Sequence, residues 1–410
     1  MGRNNNIPYN YYKMPVLFAK TKSASAPRSS SAKFLPNLST NVKRSAFRGY
    51  FHSGECSDTD TERVLRDLKA DPNVAYSFVE SQVEGRGRQV SRSVKQVEGT
   101  ERQDFLFAEM GIPEAHAWME ANMPEGTSIH SIKQGLSDSF GLPIDLLEGE
   151  ITQDMVIGTG NGLYDCTNSA TLPWDGPEEL LQYPSGMLQG ATTASCLTNG
   201  FGLRGIGNNA SLIPAPCQLL NGYWFTSQSA VHCVDQGADI ISLNWGGLAG
   251  AAELPDERLF AEFNLYKDIQ RAGILTVCCS GDAKDEPIRI PAIFTNTLTV
   301  SGSRHVYGQS PTIHPESGHG PWVDCIAPAK DVPAIHFSST QPPEVEINTF
   351  TSTFMNPPLV SACCAVIKKV LVTKGLPSSP RDIARRLIAG CVKLPDVEYE
   401  YQGAGLVNLG

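Results

Sequence analysis

The chain is expected to fold as an α/β protein: a mainly parallel sheet with helices on both faces, preceded by a small α+β unit. Two observations carry this. From about residue 105, short apolar runs alternate with helical stretches, the order that builds a parallel sheet covered on both sides. Before it, residues 13–85 read strand, strand, helix, strand, with a Ser-, Ala-, Lys- and Pro-rich loop at 23–45.

In order, residues 1–12 are polar and expected to be a disordered tail. Strands are expected at 13–22 and 46–51. A helix is expected at 59–69, because Val64, Leu65 and Leu68 form an apolar stripe. A turn and strand follow at 71–80. Residues 86–104, with Arg86, Arg88, Arg92, Lys95 and Arg102, read as an exposed linker that trypsin-like enzymes could cut. Beyond it, helices are expected at 227–236, 257–271, 358–371 and 380–389. The second of these places Leu259, Phe260, Phe263, Leu265 and Ile269 on one side, and the last opens with Ser-Pro. No internal repeat is visible.

The composition sets bounds. A chain of 410 residues is long enough for a sizeable core and for two to three domains. Its 41% hydrophobic and 19% charged residues fit an ordinary globular protein. A net charge of −10 argues against a nucleic-acid partner, whose footprint is basic. No apolar run is seen to reach the roughly 18 residues of a membrane helix, so no membrane partner is expected. The first residues lack the apolar centre of a signal peptide, and Asn6 stands where a myristoylation signal has Ser or Thr. The expected location is cytoplasmic or otherwise intracellular, with secretion left open. The 11 cysteines are odd in number and show no Cys-x-x-Cys spacing. Most are read as reduced core residues. No metal or other cofactor is expected; His314 and His319 flank a loop without an acidic pair at ligand spacing.

Residues 348–362, which contain Met355, Pro358 and Val360, and residues 126–135, 187–195 and 273–282 are the chemistry-bearing segments, and together they resemble those of subtilisin-like (peptidase S8, proteinase K-like) serine proteases. Residues 348–362 resemble the nucleophile segment Gly-Thr-Ser-Met-Ala-x-Pro-His-Val-Ala-Gly, with Met355, Pro358 and Val360 in frame. Residues 205–212, 238–247, 273–282, 290–292, 298–302, 323–328 and 403–408 follow in family order. The resemblance covers 105–410, and residues 13–85 resemble the family's inhibitor-I9-like propeptide domain. It implies a degenerate catalytic site. Phe354 stands at the nucleophile position, Gln189 at the histidine position within 187–195, and Lys133 at the aspartate position within 126–135. Asp282 replaces the oxyanion-hole Asn.

Acyl transfer needs a nucleophile, a base, an orienting acid and oxyanion donors. A benzyl group has no lone pair to attack with, and an ionised carboxylate repels an oxyanion. The leading expectation is a proteolytically inactive pseudoprotease that binds a peptide or protein in the old cleft, or holds its own propeptide-like unit there. Ser242, Asn244, Gly246 and Gly247 are the candidate binding residues, since a peptide added as a strand needs only backbone bonds. A second reading is a repurposed enzyme using Lys133, Asp282 and Thr353, a lysine in an apolar pocket being a potential base or nucleophile. A third is an active serine endopeptidase in another register, with Thr353 or Ser352 as nucleophile.

Overall fold

The computed structural model describes residues 16–22, 33–34, 38–39, 50–79, 83–84, 90–125, 127, 132–138, 162–165, 170–173, 202–207, 210–216, 226–247, 256–282, 290–337 and 345–410.

The amino-terminal unit contains β1 (Val16–Thr21), β2 (Lys33–Phe34), β3 (Leu38–Ser39), β4 (Tyr50–Glu55), α1 (Thr61–Ala70) and β5 (Val74–Val79). β1 lies between β4 and β5, antiparallel to both. Alternation along β1 then divides its side chains. Leu17 faces α1 and packs with Val64 and Leu68. Phe18 joins Phe78 on the other face, in a core shared with the larger unit. The strand expected at 46–51 overlaps β4, where Tyr50 pairs with Thr21; residues 46–49 lie outside the described residues.

Two short strands follow, β6 (Val83–Glu84) and β7 (Val90–Val94), then α2 (Gln96–Glu109) and α3 (Ile112–Asn122). Of the exposed linker expected at 86–104, residues 90–94 and 96–104 instead lie in β7 and the first part of α2, and residues 86–89 lie outside the described residues. β7 pairs with a later strand, and Arg102 of α2 is buried. Its guanidinium donates to the carbonyls of His305, Lys330 and Asp331 at 3.0–3.2 Å, and lies over the Phe105 and Tyr307 rings. Arginine's fan of donors lets one side chain satisfy several loop carbonyls.

The central sheet is built from β8 (Lys133–Asp138), β11 (Ser211–Pro216), β12 (Ile240–Leu243), β14 (Leu275–Cys279), β15 (Leu298–Arg304) and β17 (Cys325–Pro328), all parallel in the order β11-β8-β12-β14-β15-β17. β9 (Gly162–Asp165) and β10 (Ala170–Pro173) form a separate hairpin pair, and β13 (Gly246–Gly247) pairs with β6. β16 (Thr312–Ile313) adds antiparallel to β15. β18 (Val332–Phe337) and β19 (Val345–Thr351) form a three-stranded sheet with β7.

Helices cover both faces. α4 (Thr226–Asp235) and α5 (Asp256–Arg271) lie on one side, α6 (Asn356–Thr373) and α7 (Pro380–Gly390) on the other; α8 (Tyr399–Gln402) is one turn. Successive residues of one strand serve different cores: Ile240 packs with α6, Ile241 with α4 and α5. α6, with the turn before it, is long and apolar enough to cross a membrane by length and composition, although the sequence reading found no such run. With 72% of that apolar window buried, it is the core helix of this sheet.

Candidate functional site

In a parallel α/β sheet, functional groups gather outside the carboxyl ends of the strands. That end here is marked by Leu243 of β12, Cys279 of β14 and Asp138 of β8. Beyond β14 the chain turns through Ser280 and Gly281 to Asp282. From the other side β19 delivers Ser352, a 3-10 turn spans Thr353–Met355, and α6 begins at Asn356.

Asp282 is the hub. One carboxylate oxygen accepts the Ser352 hydroxyl at 2.5 Å, and the other accepts the Thr353 amide at 2.6 Å. Ser352 Oγ in turn accepts the Phe354 amide at 3.1 Å and caps the 3-10 turn. A carboxylate is acceptor-only, so it consumes donors that could otherwise serve an oxyanion. Asn356 anchors the helix start by donating to the Ser301 carbonyl at 2.6 Å. Thr353 is fully buried, with its methyl against Gly302; a Cβ on Gly302 would lie 3.1 Å from that methyl and closer still to Ser317 and Ala329.

Phe354 is 1% exposed and packs on Cys279, whose thiol donates to the Trp245 carbonyl. The ring therefore plugs the ground between the ends of β12 and β14. Among the described residues no histidine bonds Ser352, a residue 1% exposed.

The other expected site residues are placed differently. Lys133 opens β8 instead of closing it. Its amide donates to Asp239 and its carbonyl accepts the Asp239 amide, both at the amino ends of the strands. Five residues of strand, about 16 Å, separate it from Asp138. The strand expected at 126–135 extends further, to Asp138, which ends β8; residues 126 and 128–131 lie outside the described residues. Lys133, Asp282 and Thr353 are thus not brought together. Gln189 and His130 lie outside the described residues.

Ser242 and Asn244 are fully buried, the Ser242 hydroxyl donating to Asn244 Oδ1 at 2.7 Å, so they support the cleft wall from behind. Gly246 and Gly247 are in a strand pair, but with the chain's own Glu84 and Val83, antiparallel.

One grouping escaped the sequence reading. His305 Nε2 lies 2.8 Å from Ser303 Oγ, and its Nδ1 is 3.7 Å from a Glu109 carboxylate oxygen. The i, i+2 spacing on β15 was a visible signal. Both side chains are sealed, and burial, with Arg102 nearby, holds the imidazole down to about 4. The group ties α2 to β15. Among the described residues, no three His, Cys, Asp or Glu side chains are gathered for a metal ion.

The profile of the subtilase family (peptidase S8) matches residues 186–402. No curated protein sequence matches. Among solved structures, the Prenylagaramide maturation protease PagA aligns with a TM-score of 0.52 at 14% identity, over 73% of this chain and 96% of that one. The PatG macrocyclase in complex with peptide aligns with a TM-score of 0.56 at 18% identity, over 73% and 93%. The self-cleaved protease domain of PatA aligns at 0.51 and 17%, over 69% and 95%. These identities establish the fold.

Proposed function

The chain belongs to the subtilase family; we propose that Phe354, a sealed ring, stands at its nucleophile position, and that the protein is a proteolytically inactive member that acts by binding, a pseudoprotease. The observation that carries this is the Asp282 knot. The carboxylate occupies the Ser352 hydroxyl and the Thr353 amide, and Phe354 closes the floor beside them. A reacting carbonyl needs donors and a nucleophile at this place. The base is also unsupported, since no histidine occurs between His130 and His232, the stretch that contains the family's histidine segment.

The amino-terminal unit is proposed to be an inhibitor-I9-like propeptide that stays attached. Three contacts support this. Lys20 pairs with Asp268 of α5 at 2.7 Å, Phe18 and Phe78 enter the core around α5, and Val83–Glu84 lies along Gly246–Gly247. Strand addition at that edge is the mode by which an extended peptide binds. The proposed ligand of the cleft is accordingly the chain's own segment, with another peptide or protein able to enter only by displacing it. We propose Asp138, the last residue of β8, for the acid position that the resemblance placed at Lys133. An acid without a base or nucleophile supplies orientation only.

The test treats the purified full chain with a fluorophosphonate probe and a peptide substrate pool, and determines its intact mass. The expected result is no labelling, no turnover and an amino-terminal unit still attached. Covalent labelling at Ser352 or Thr353 would overturn the proposal.

A further inference from the structure

The carboxyl-terminal helices carry charge of the opposite sign to the rest of the chain. Residues 367–393 hold seven of the 33 lysines and arginines and one of the 43 acids, a surplus of six. The remainder has sixteen more acids than bases. Lys374, Arg381, Arg385, Arg386 and Lys393 are exposed. The burial of Ile383 and Leu387 turns Arg381 and Arg385 outward, one helical turn apart.

The turn between α6 and α7 adds apolar groups to this surface. Residues 372–377 are all exposed, with Val372 at 50% and Leu376 at 43%. Gly375, at φ +64°, would have nothing within 4 Å of an added Cβ, so the turn projects into open space. Beside it, Trp118 of α3 is 43% exposed under the Lys374 ammonium, 4.8 Å from the ring centre. A projecting apolar tip with an aromatic ring and flanking cations does not form a groove for a protein segment. It matches a surface that is flat, anionic outside and apolar a few ångströms in.

We infer that this turn and its flanking cations are a docking surface for an anionic lipid bilayer, with Leu376, Val372 and Trp118 entering the interface and the cations meeting headgroup phosphates and carboxylates. Lys368 is paired with Asp239 and drops out, leaving a surplus of five; setting Glu114, Glu120 and Glu125 of the α3 region against it still leaves the local sum positive. The acidic remainder is repelled by the same membrane, which orients the protein with this end down. The expectation of no membrane partner rested on the lack of a spanning run; peripheral docking needs none. The inference is independent of the proposed loss of catalysis.

The test is co-sedimentation of the full chain with vesicles of phosphatidylcholine alone and of phosphatidylcholine mixed with phosphatidylserine, at low and high salt. Binding to the mixed vesicles only, weakened by salt, is expected. The double variant Arg381→Glu/Arg385→Glu should bind at least about 25-fold more weakly, at roughly fivefold per lost cation. Leu376→Ser should weaken binding without changing its salt dependence. Failure to bind, equal binding to neutral vesicles, or undiminished binding by the charge-reversed variant would each overturn the inference. Binding of a soluble poly-glutamate without binding of vesicles would also overturn it, assigning the patch to an acidic protein.

Discussion

Replacing Phe354 by alanine tests whether the position proposed for the lost nucleophile is core. The ring is 1% exposed, between Cys279 at the end of β14 and the turn that starts α6. Returning such a ring to water forgoes about 2 kcal/mol of transfer energy. The walls are a strand end and a helix start tied by the Asn356 bond to Ser301, so the cavity cannot close easily. With the cavity term the loss is about 4 kcal/mol, within the usual range for Phe→Ala. Phe354→Met keeps most of the volume and should cost below about 1.5 kcal/mol. Urea titrations followed by circular dichroism and tryptophan fluorescence measure both. A loss for Phe354→Ala below about 1 kcal/mol would mean that the ring lines an open cleft, and the plug argument fails.

Asp282→Asn exchanges two charge-assisted bonds for weaker neutral ones and should destabilise by about 1–2 kcal/mol, while still giving no fluorophosphonate labelling. Burial holds His232 down to about 4, so the folded state binds its proton less well than the unfolded chain does. Its contribution is complete above pH 6.5 and is lost as pH falls towards 4; His232→Asn should flatten the acid side of a melting-temperature profile. Burial pushes Asp235 up to about 8, the opposite case. Its contribution is present below about pH 4 and is lost as pH rises to 8, so Asp235→Asn should stabilise more at pH 9 than at pH 5. Limited trypsin digestion, with fragments sized by mass spectrometry, should leave the Arg102–Gln103 bond intact, because the guanidinium is held by three carbonyls.

The sequence was most legible where one strand or helix satisfied a period by itself. The helix expected at 227–236 lies at Thr226–Asp235, and that at 380–389 at Pro380–Gly390, where Ser379 and Asp382 form a capping box. Asp282 could be aligned because the run before it, Leu275–Cys279, is buried throughout and has one clear end. The end of β8 was missed for the converse reason. Lys133-Gln-Gly-Leu-Ser-Asp138 is polar for a central strand, so its extent to Asp138 carries no apolar signal. Gln134 is fully buried, and Gly135 lies against Cys233 so closely that a Cβ would clash at 2.6 Å. Neither reads as strand by periodicity. Arg102 was misread because its partners are carbonyls some 200 residues away, which carry no side-chain signature.

The proposed attachment of the amino-terminal unit is supported by packing as much as by the proposed loss of catalysis. Lys20 and Asp268 are 14% and 15% exposed, and the Tyr76 hydroxyl donates to the same carboxylate oxygen. Among the described residues, removing the unit would leave Asp268 with Arg271, 3.9 Å away and largely exposed. A partly buried charge that loses its hydrogen-bonded partner is destabilised more than the intact pair was stabilised. Phe18 and Phe78, in contact at 5.3 Å, would also leave the core that contains Leu265 and Tyr266. An enzyme that must shed such a unit needs the remaining fold to stand without it. Here the interface is completed like a core, with an ion pair, a tyrosine and two phenylalanines, and the unit belongs to the stability of the whole chain.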